Sequence, residues 1–176
     1  MFNILKKDIA RTSEYINGNK FKKFIGCYRS PGVHAITIFR FGQWLSSQSL
    51  LIRIPLEPIY MFLYYRIRTK WGIELPRTAI IGEGMYIGHS GGIFISSSAK
   101  IGKNANISQQ ITIGLSGKGD KYGVPIIGDN VYIAAGAKIF GKIIIGDNVK
   151  IGANAVVYKN IPSNSIVVLS PGFTIL

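Results

Sequence analysis

The chain has few of the residues that build metal centres or covalent cross-links. Cys27 is its one cysteine, so no internal disulfide can form, which fits a reducing compartment. A lone cysteine of this kind is read as a small packed residue rather than a reactive thiol. His34 and His89 are the only histidines, too few for a zinc site built on three imidazoles. Long apolar runs are also missing: the longest uncharged apolar run, Pro58 to Tyr65, is far below the roughly 20 residues a membrane-spanning helix requires. The charges in "FNILKKDIARTSEY" interrupt anything resembling a signal peptide, and the expected location is cytoplasmic. Acidic residues are scarce, with 8 Asp and Glu against 21 Lys and Arg, a net charge of +13. Such a surface draws anions, among them nucleotides, phosphorylated cofactors, nucleic acid and acidic headgroups. No nucleic-acid recognition motif accompanies the charge.

The basic excess is uneven. Residues 1–73 hold 12 Lys or Arg against Asp8, Glu14 and Glu57, whereas from Glu74 onward 9 bases face 5 acids. The first part reads as helical. In "SPGVHAITIFRFGQWLSS", Ser30 is a cap and Pro31 suits the first helical position, with Val33, Ile36, Phe41, Trp44 and Leu45 near helical spacing. "PLEPIYMFLYYRIRTKWG" predicts a second helix, with Arg66, Arg68 and Lys70 near its negative end and Gly72 as its stop. Its aromatic and basic stretch, "IYMFLYYRIRTKW", suits packing beneath the following domain, and it also suits peripheral contact with the inner face of an anionic membrane. His34 falls within the first helix and reads as a packed helix residue.

After Leu75 the period changes to six. Aliphatic residues stand at 81, 87, 95, 101, 107, 113, 127, 133, 139, 145, 151 and 157, and glycine follows at 82, 88, 102, 114, 128, 146 and 152. Six-residue units, each a short strand and a turn, close a triangular coil every 18 residues, which is a parallel β-helix. The aliphatic side chains then stack inside the prism, each worth about 1.5–3 kcal/mol of burial. The twelve positions make four coils: 81/87/95, 101/107/113, 127/133/139 and 145/151/157. The domains expected are a helical segment over 1–73, the β-helix over 74–160 and a capping tail over 161–176. Two insertions break the period, "HSGG" at 89–92 and "LSGKGDKYGVP" at 115–125, and loops on so regular a scaffold mark a site. His89 lies in the first. An imidazole, with a typical pKa of about 6.5, suits a general base at neutral pH, and the residues alone equally allow a turn histidine covering a corner.

The stretch "IELPRTAIIGEGMYIGHSGGIFISSSAKIGKNANISQQITIG", followed by "IIGDNVYIAAGAKIFGKIIIGDNVKIGANAVVYKNIP", resembles the serine acetyltransferase branch of the hexapeptide acyltransferases. It looks still more like their relatives that O-acetylate capsular or lipopolysaccharide sugars. The resemblance implies a left-handed parallel β-helix, assembled as homotrimers, with acetyl-CoA in the groove between neighbouring prisms and no metal. It places His89 as the base that deprotonates the acceptor hydroxyl and Glu74 as the carboxylate that orients it. It carries cofactor binding onto Gly114, Ser116, Gly117, Ala135 and Ala153, with Lys118 and Lys159 as candidates for the CoA phosphates. Serine acetyltransferases have aspartate where Gly88 stands, and an Arg-His pair in the loop where Tyr122 to Val124 stand. The missing charged clamp favours a neutral acceptor, so the main expectation is acetylation of a sugar hydroxyl of a surface polysaccharide or its precursor. The alternatives are serine O-acetylation, tested directly with serine, and a non-catalytic prism that scaffolds or binds glycans.

Overall fold

A computed structural model describes residues 2–169. Four helices come first: α1 (Phe2–Glu14), α2 (Lys20–Arg29), α3 (Pro31–Ser46) and α4 (Leu50–Trp71). The side chain of Ser30 caps α3 by accepting from Val33 N, with Pro31 in the first turn, as its sequence predicts. The last helix starts at Leu50, five residues before the predicted segment, with Pro55 and Pro58 inside it. It stops at Gly72, whose left-handed φ of 60° ends the helix at little steric cost.

The prism follows. Its first coil is β1 (Ile73–Glu74), β2 (Ile80–Ile81), β3 (Tyr86–Ile87) and β4 (Ile93–Ile95). The next holds β5 (Lys100–Ile101), β6 (Asn106–Ile107) and β7 (Thr112–Gly114). The third holds β8 (Ile126–Ile127), β9 (Tyr132–Ile133) and β10 (Lys138–Phe140), and the fourth β11 (Ile144–Ile145), β12 (Lys150–Ile151) and β13 (Val156–Val157). β14 (Ile166–Val167) comes last. All pairs are parallel and make three faces: β1-β4-β7-β10-β13, then β2-β5-β8-β11, then β3-β6-β9-β12-β14. The register is the one the six-residue period predicts. Ile81 aligns with Ile101, Ile127 and Ile145, and Ile95 with Ile113, Ile139 and Val157. These side chains are buried along the axis. Past the fourth coil the chain keeps winding: β14 pairs with β12, and Ile161 bridges Ile145. From Ser170 the expected capping tail lies outside the described residues.

Two devices at the corners fix this register. Asn104, Asn130, Asn148 and Asn164 all adopt left-handed φ near 60°. Each of the first three donates its amide to the next at 3.0–3.2 Å, forming a ladder down one edge. Asparagine tolerates this conformation better than other side chains with a Cβ. Gly102 is needed for closeness, since a Cβ there would come within 2.6 Å of the Gly128 backbone in the coil below.

The helical end of the prism is closed by a buried ion pair. Arg40 of α3 and Asp8 of α1 are 2% and 1% exposed and meet at 2.9 Å. Arg40 also donates to the carbonyls of Ile81 and Gly82, at 2.8 and 2.6 Å, and Asp8 accepts from Met85 N at 2.9 Å. These are backbone groups on the side of the first coil that no further coil covers. A second bridge joins helix to prism: Arg77 grips Glu57 through both terminal nitrogens, at 3.1 and 2.7 Å.

Asp8→Ala leaves Arg40 buried without its counter-charge, and is expected to cost about 3–5 kcal/mol, read as a lower urea midpoint. Glu57 titrates below the usual carboxylate range, first because of its hydrogen bond to Arg77. Its contribution is therefore present above the unfolded carboxyl pKa of about 4.3 and lost as pH falls through the lower folded value. Glu57→Gln is expected to lower the thermal midpoint at neutral pH and to match the parent chain in strong acid.

Candidate functional site

Most of the candidate residues flank one face of the prism, the β1-β4-β7-β10-β13 face. Its two bordering corners carry both insertions. The corner from the third face to the first holds Gly88 to Gly92, and below it Ser108 to Ile111, Ala134 to Ala137 and Gly152 to Ala155. The backbone stacks these turns: Gln110 N donates to Gly91 O, Gly136 N to Gln109 O and Asn154 N to Ala135 O. His89 therefore tops a column in which Ala135 and Ala153 occupy the lower steps.

His89 is exposed, and its ring makes no hydrogen bond among the described residues. The insertion that carries it is held from behind by the end of α4. Gly91 N donates to Trp71 O and Ile93 N to Gly72 O, both at 2.9 Å. Gly91 and Gly92 take φ of 102° and 67°, and a Cβ on Gly72 would lie 3.1 Å from Gly92 N, so the helix end and the insertion meet through glycine.

Glu74, on β1, pairs in register with Phe94 just past that insertion. Its carboxylate is engaged by Arg68 of α4 at 3.1 Å rather than by His89. The two line a cavity of about 370 Å³ with Tyr65, Thr69, Gly72, Gly92 and Phe94. Tyr64 lies against the same pair, with Arg68 over its ring, and burial followed by the Glu74 charge pushes its hydroxyl up to about 12. Arg68 was read from the sequence only as a helix-end cation; its place six residues before Glu74, across a glycine stop, is the signal that pairs them.

The second insertion leaves the opposite corner. It folds back through a bridge between Ser116 and Gly123, with N–H to O distances of 3.1 and 3.0 Å. Ser116 and Gly117 line a cavity of about 400 Å³ together with Phe140, Lys142, Tyr158 and Lys159. The structure thus unites Ser116, Gly117 and Lys159, from separate coils, around one cleft with a second cation, Lys142. Gly114 is buried at the loop entry, where a Cβ would stand 3.0 Å from the Phe140 ring. Lys118 is exposed at the start of a short 3₁₀ turn, Gly119–Lys121, and does not line this cleft. Phe140, Lys142 and Tyr158 escaped sequence reading because they lie one and two coils away from the loop. Gly123 occupies the region where the resembled family carries its Arg-His pair; a Cβ there would come within 2.8 Å of the Lys142 Cβ, so packing requires the glycine.

His34 has the structural role its helix position predicts. Its ring stacks on Trp71 at 5.1 Å, and Nε2 lies 2.7 Å from the Tyr28 carbonyl, which can only accept. The expected burial of Cys27 is present, and burial raises its thiol pKa. In the aromatic stretch of α4, Tyr60 and Ile67 are buried while Met61, Phe62 and Tyr65 face out. No helix among the described residues is long and apolar enough to cross a membrane, and these residues hold no cluster of three or more His, Cys, Asp or Glu suited to a metal ion.

Comparison with known proteins agrees with the repeat. Residues 125–159 match the family described as bacterial transferase hexapeptide (six repeats). The chain is 39% identical over 153 residues to a serine acetyltransferase of Mycobacterium tuberculosis, covering 86% of this chain and 62% of that protein. Among solved structures, serine acetyltransferase isoform 3 of Entamoeba histolytica in complex with cysteine superimposes with a TM-score of 0.77 at 30% identity, over 99% of this chain and 60% of that one. A serine acetyltransferase in complex with CoA gives 0.75 at 26% identity, over 93% and 65%. The chain thus spans about three fifths of the length of the relatives it matches. The prism is a left-handed parallel β-helix with an N-terminal helical region. The expected likeness to sugar O-acetyltransferases, and with it the sugar acceptor and the place in polysaccharide synthesis, is corrected: the similar proteins named above are serine acetyltransferases, as are those of Synechococcus elongatus and Synechocystis sp., at 38 and 42% identity. That expectation read Tyr122 to Val124 as a statement about the acceptor, whereas Gly123 is fixed by its contact with Lys142.

His34→Ala removes the stack on Trp71 and is expected to cost about 1 kcal/mol, measured by denaturant unfolding.

Proposed function

We propose that this chain is a serine O-acetyltransferase that uses acetyl-CoA, with His89 as general base. The observation that carries the reading is the similarity to serine acetyltransferases over more than four fifths of the chain, combined with the placing of His89 on a corner insertion beside the same face as the Ser116–Lys159 cleft.

In this reading the serine hydroxyl gives its proton to a ring nitrogen of His89 as its oxygen attacks the thioester carbonyl carbon. The carbon–sulfur bond then breaks, the thiolate of CoA takes up the proton from the imidazolium, and O-acetylserine is released. Exposure keeps the His89 ring accessible to solvent and acceptor, and imidazole is the side chain suited to proton transfer near neutral pH. Glu74 is the positioning carboxylate, kept beside the insertion by β-pairing and held by Arg68. Acetyl-CoA lies along the β1-β4-β7-β10-β13 face between neighbouring prisms of a homotrimer. Ser116 and Gly117 border its entry, Ala135 and Ala153 leave room for the pantetheine arm, and Lys142, Lys159 and Lys118 offer charge to its phosphates. Cations in the cleft and small residues along the column suit an extended amide chain ending in phosphates.

Purified chain incubated with acetyl-CoA and serine is expected to release free thiol and O-acetylserine. His89→Ala is expected to lower kcat by about 10²–10⁴ with little change in the KM for acetyl-CoA. Thiol release that is independent of serine, or unchanged in the variant, rejects the reading.

A further inference from the structure

Helix α2 presents a surface that neither the prism nor the proposed chemistry uses. Phe21, Phe24 and Tyr28 are 70%, 69% and 70% exposed. Their spacing of three and four residues puts them on one face of the helix. The other side packs inward: Cys27 is buried, and a Cβ on Gly26 would reach within 2.8 Å of Ile16. Lys20, Lys22 and Arg29 are exposed and flank the aromatic face, with Lys23 half-buried. No acidic residue occurs between Glu14 and Glu57. A short amphipathic helix with aromatic anchors, basic flanks and no carboxylate has the chemistry of a bilayer-surface segment.

We propose that α2 docks on an anionic lipid bilayer, with Phe21, Phe24 and Tyr28 entering the headgroup region and the lysines and Arg29 meeting lipid phosphates. Charge selects this occupant over a second copy of the chain, because apposing two α2 faces brings cations against cations with no carboxylate in either helix to pair with them. The sequence expectation placed membrane contact in the α4 stretch. Packing uses part of that stretch, since Tyr60 and Ile67 are buried, whereas the three aromatic side chains of α2 stay about 70% exposed, with Tyr28 touching the fold through an edge contact to the His34 ring at 6.0 Å and Phe24 beside Ile9 and Cys27.

The test is co-sedimentation of the full chain with phosphatidylcholine vesicles and with vesicles that also contain phosphatidylglycerol. Binding is expected only to the anionic vesicles and is expected to fall steeply from low to high salt. Phe21→Ser/Phe24→Ser and Lys20→Glu/Lys22→Glu are each expected to lower the bound fraction at least about tenfold, while unfolding cooperatively and retaining the parent chain's turnover in solution. Failure of the parent chain to sediment with anionic vesicles overturns the proposal. So does parent-like binding by both variants. A change of assembly state in Phe21→Ser/Phe24→Ser without vesicle binding assigns the face to another copy and also overturns it.

Discussion

The Asp8–Arg40 pair sits where a stack of coils is weakest. A parallel β-helix satisfies its backbone by placing each coil on the next, and the first coil has no neighbour on its outer side. Arg40 answers the carbonyls of Ile81 and Gly82, Asp8 answers the amide of Met85, and their mutual contact makes burial of both charges tolerable. The pair is fully packed between α1, α3 and the first coil, so helices and prism form one structure. Neither charge has another place to go.

From that closed end the geometry passes to the candidate site. α3 fixes α4 through aromatic packing, with Phe41 beside Tyr60 and His34 stacked on Trp71. The last residues of α4 then hold the His89 insertion through the carbonyls of Trp71 and Gly72, while Arg68 from the same helix holds Glu74. An exposed imidazole is thereby carried on a loop whose base is bonded to a helix and whose flank is bonded to a strand. The loop's own glycines supply the tight turns, and rigidity comes from its surroundings.

The prism was legible because its information is local and repeated. Each aliphatic residue and each following glycine states the same six-residue rule, so an error at one coil is corrected by the next; the corner asparagines, one to a revolution, were not singled out. The insertions were legible as departures from that rule, which is how His89 and the 115–125 loop were singled out. What was not legible depends on single contacts between distant segments. Asp8 and Arg40 are separated by 32 residues, and no pattern in α1 or α3 announces their meeting with Ile81 or Gly82. Helices α1 and α2 have no period as strong as the prism's, and their boundaries went unassigned. Arg68 looked like a helix-end charge until Gly72 turned the chain and brought Glu74 back beside it. The acceptor was misread because the lack of a charged pair at Tyr122 to Val124 was given more weight than likeness over most of the chain, and Gly123 in that stretch answers to Lys142.

The asparagine ladder has a consequence for how such a chain can change length. Successive steps of a parallel stack rise by about 4.8 Å, so the vertical offset between turns at one corner is a whole number of rungs. A duplicated or deleted block keeps Asn104, Asn130, Asn148 and Asn164 in line only if it contains a complete revolution, whereas any other length rotates one loop to a different side of the column. The molecule is a graduated ruler with a three-sided cross-section, and variation in its height comes in quanta.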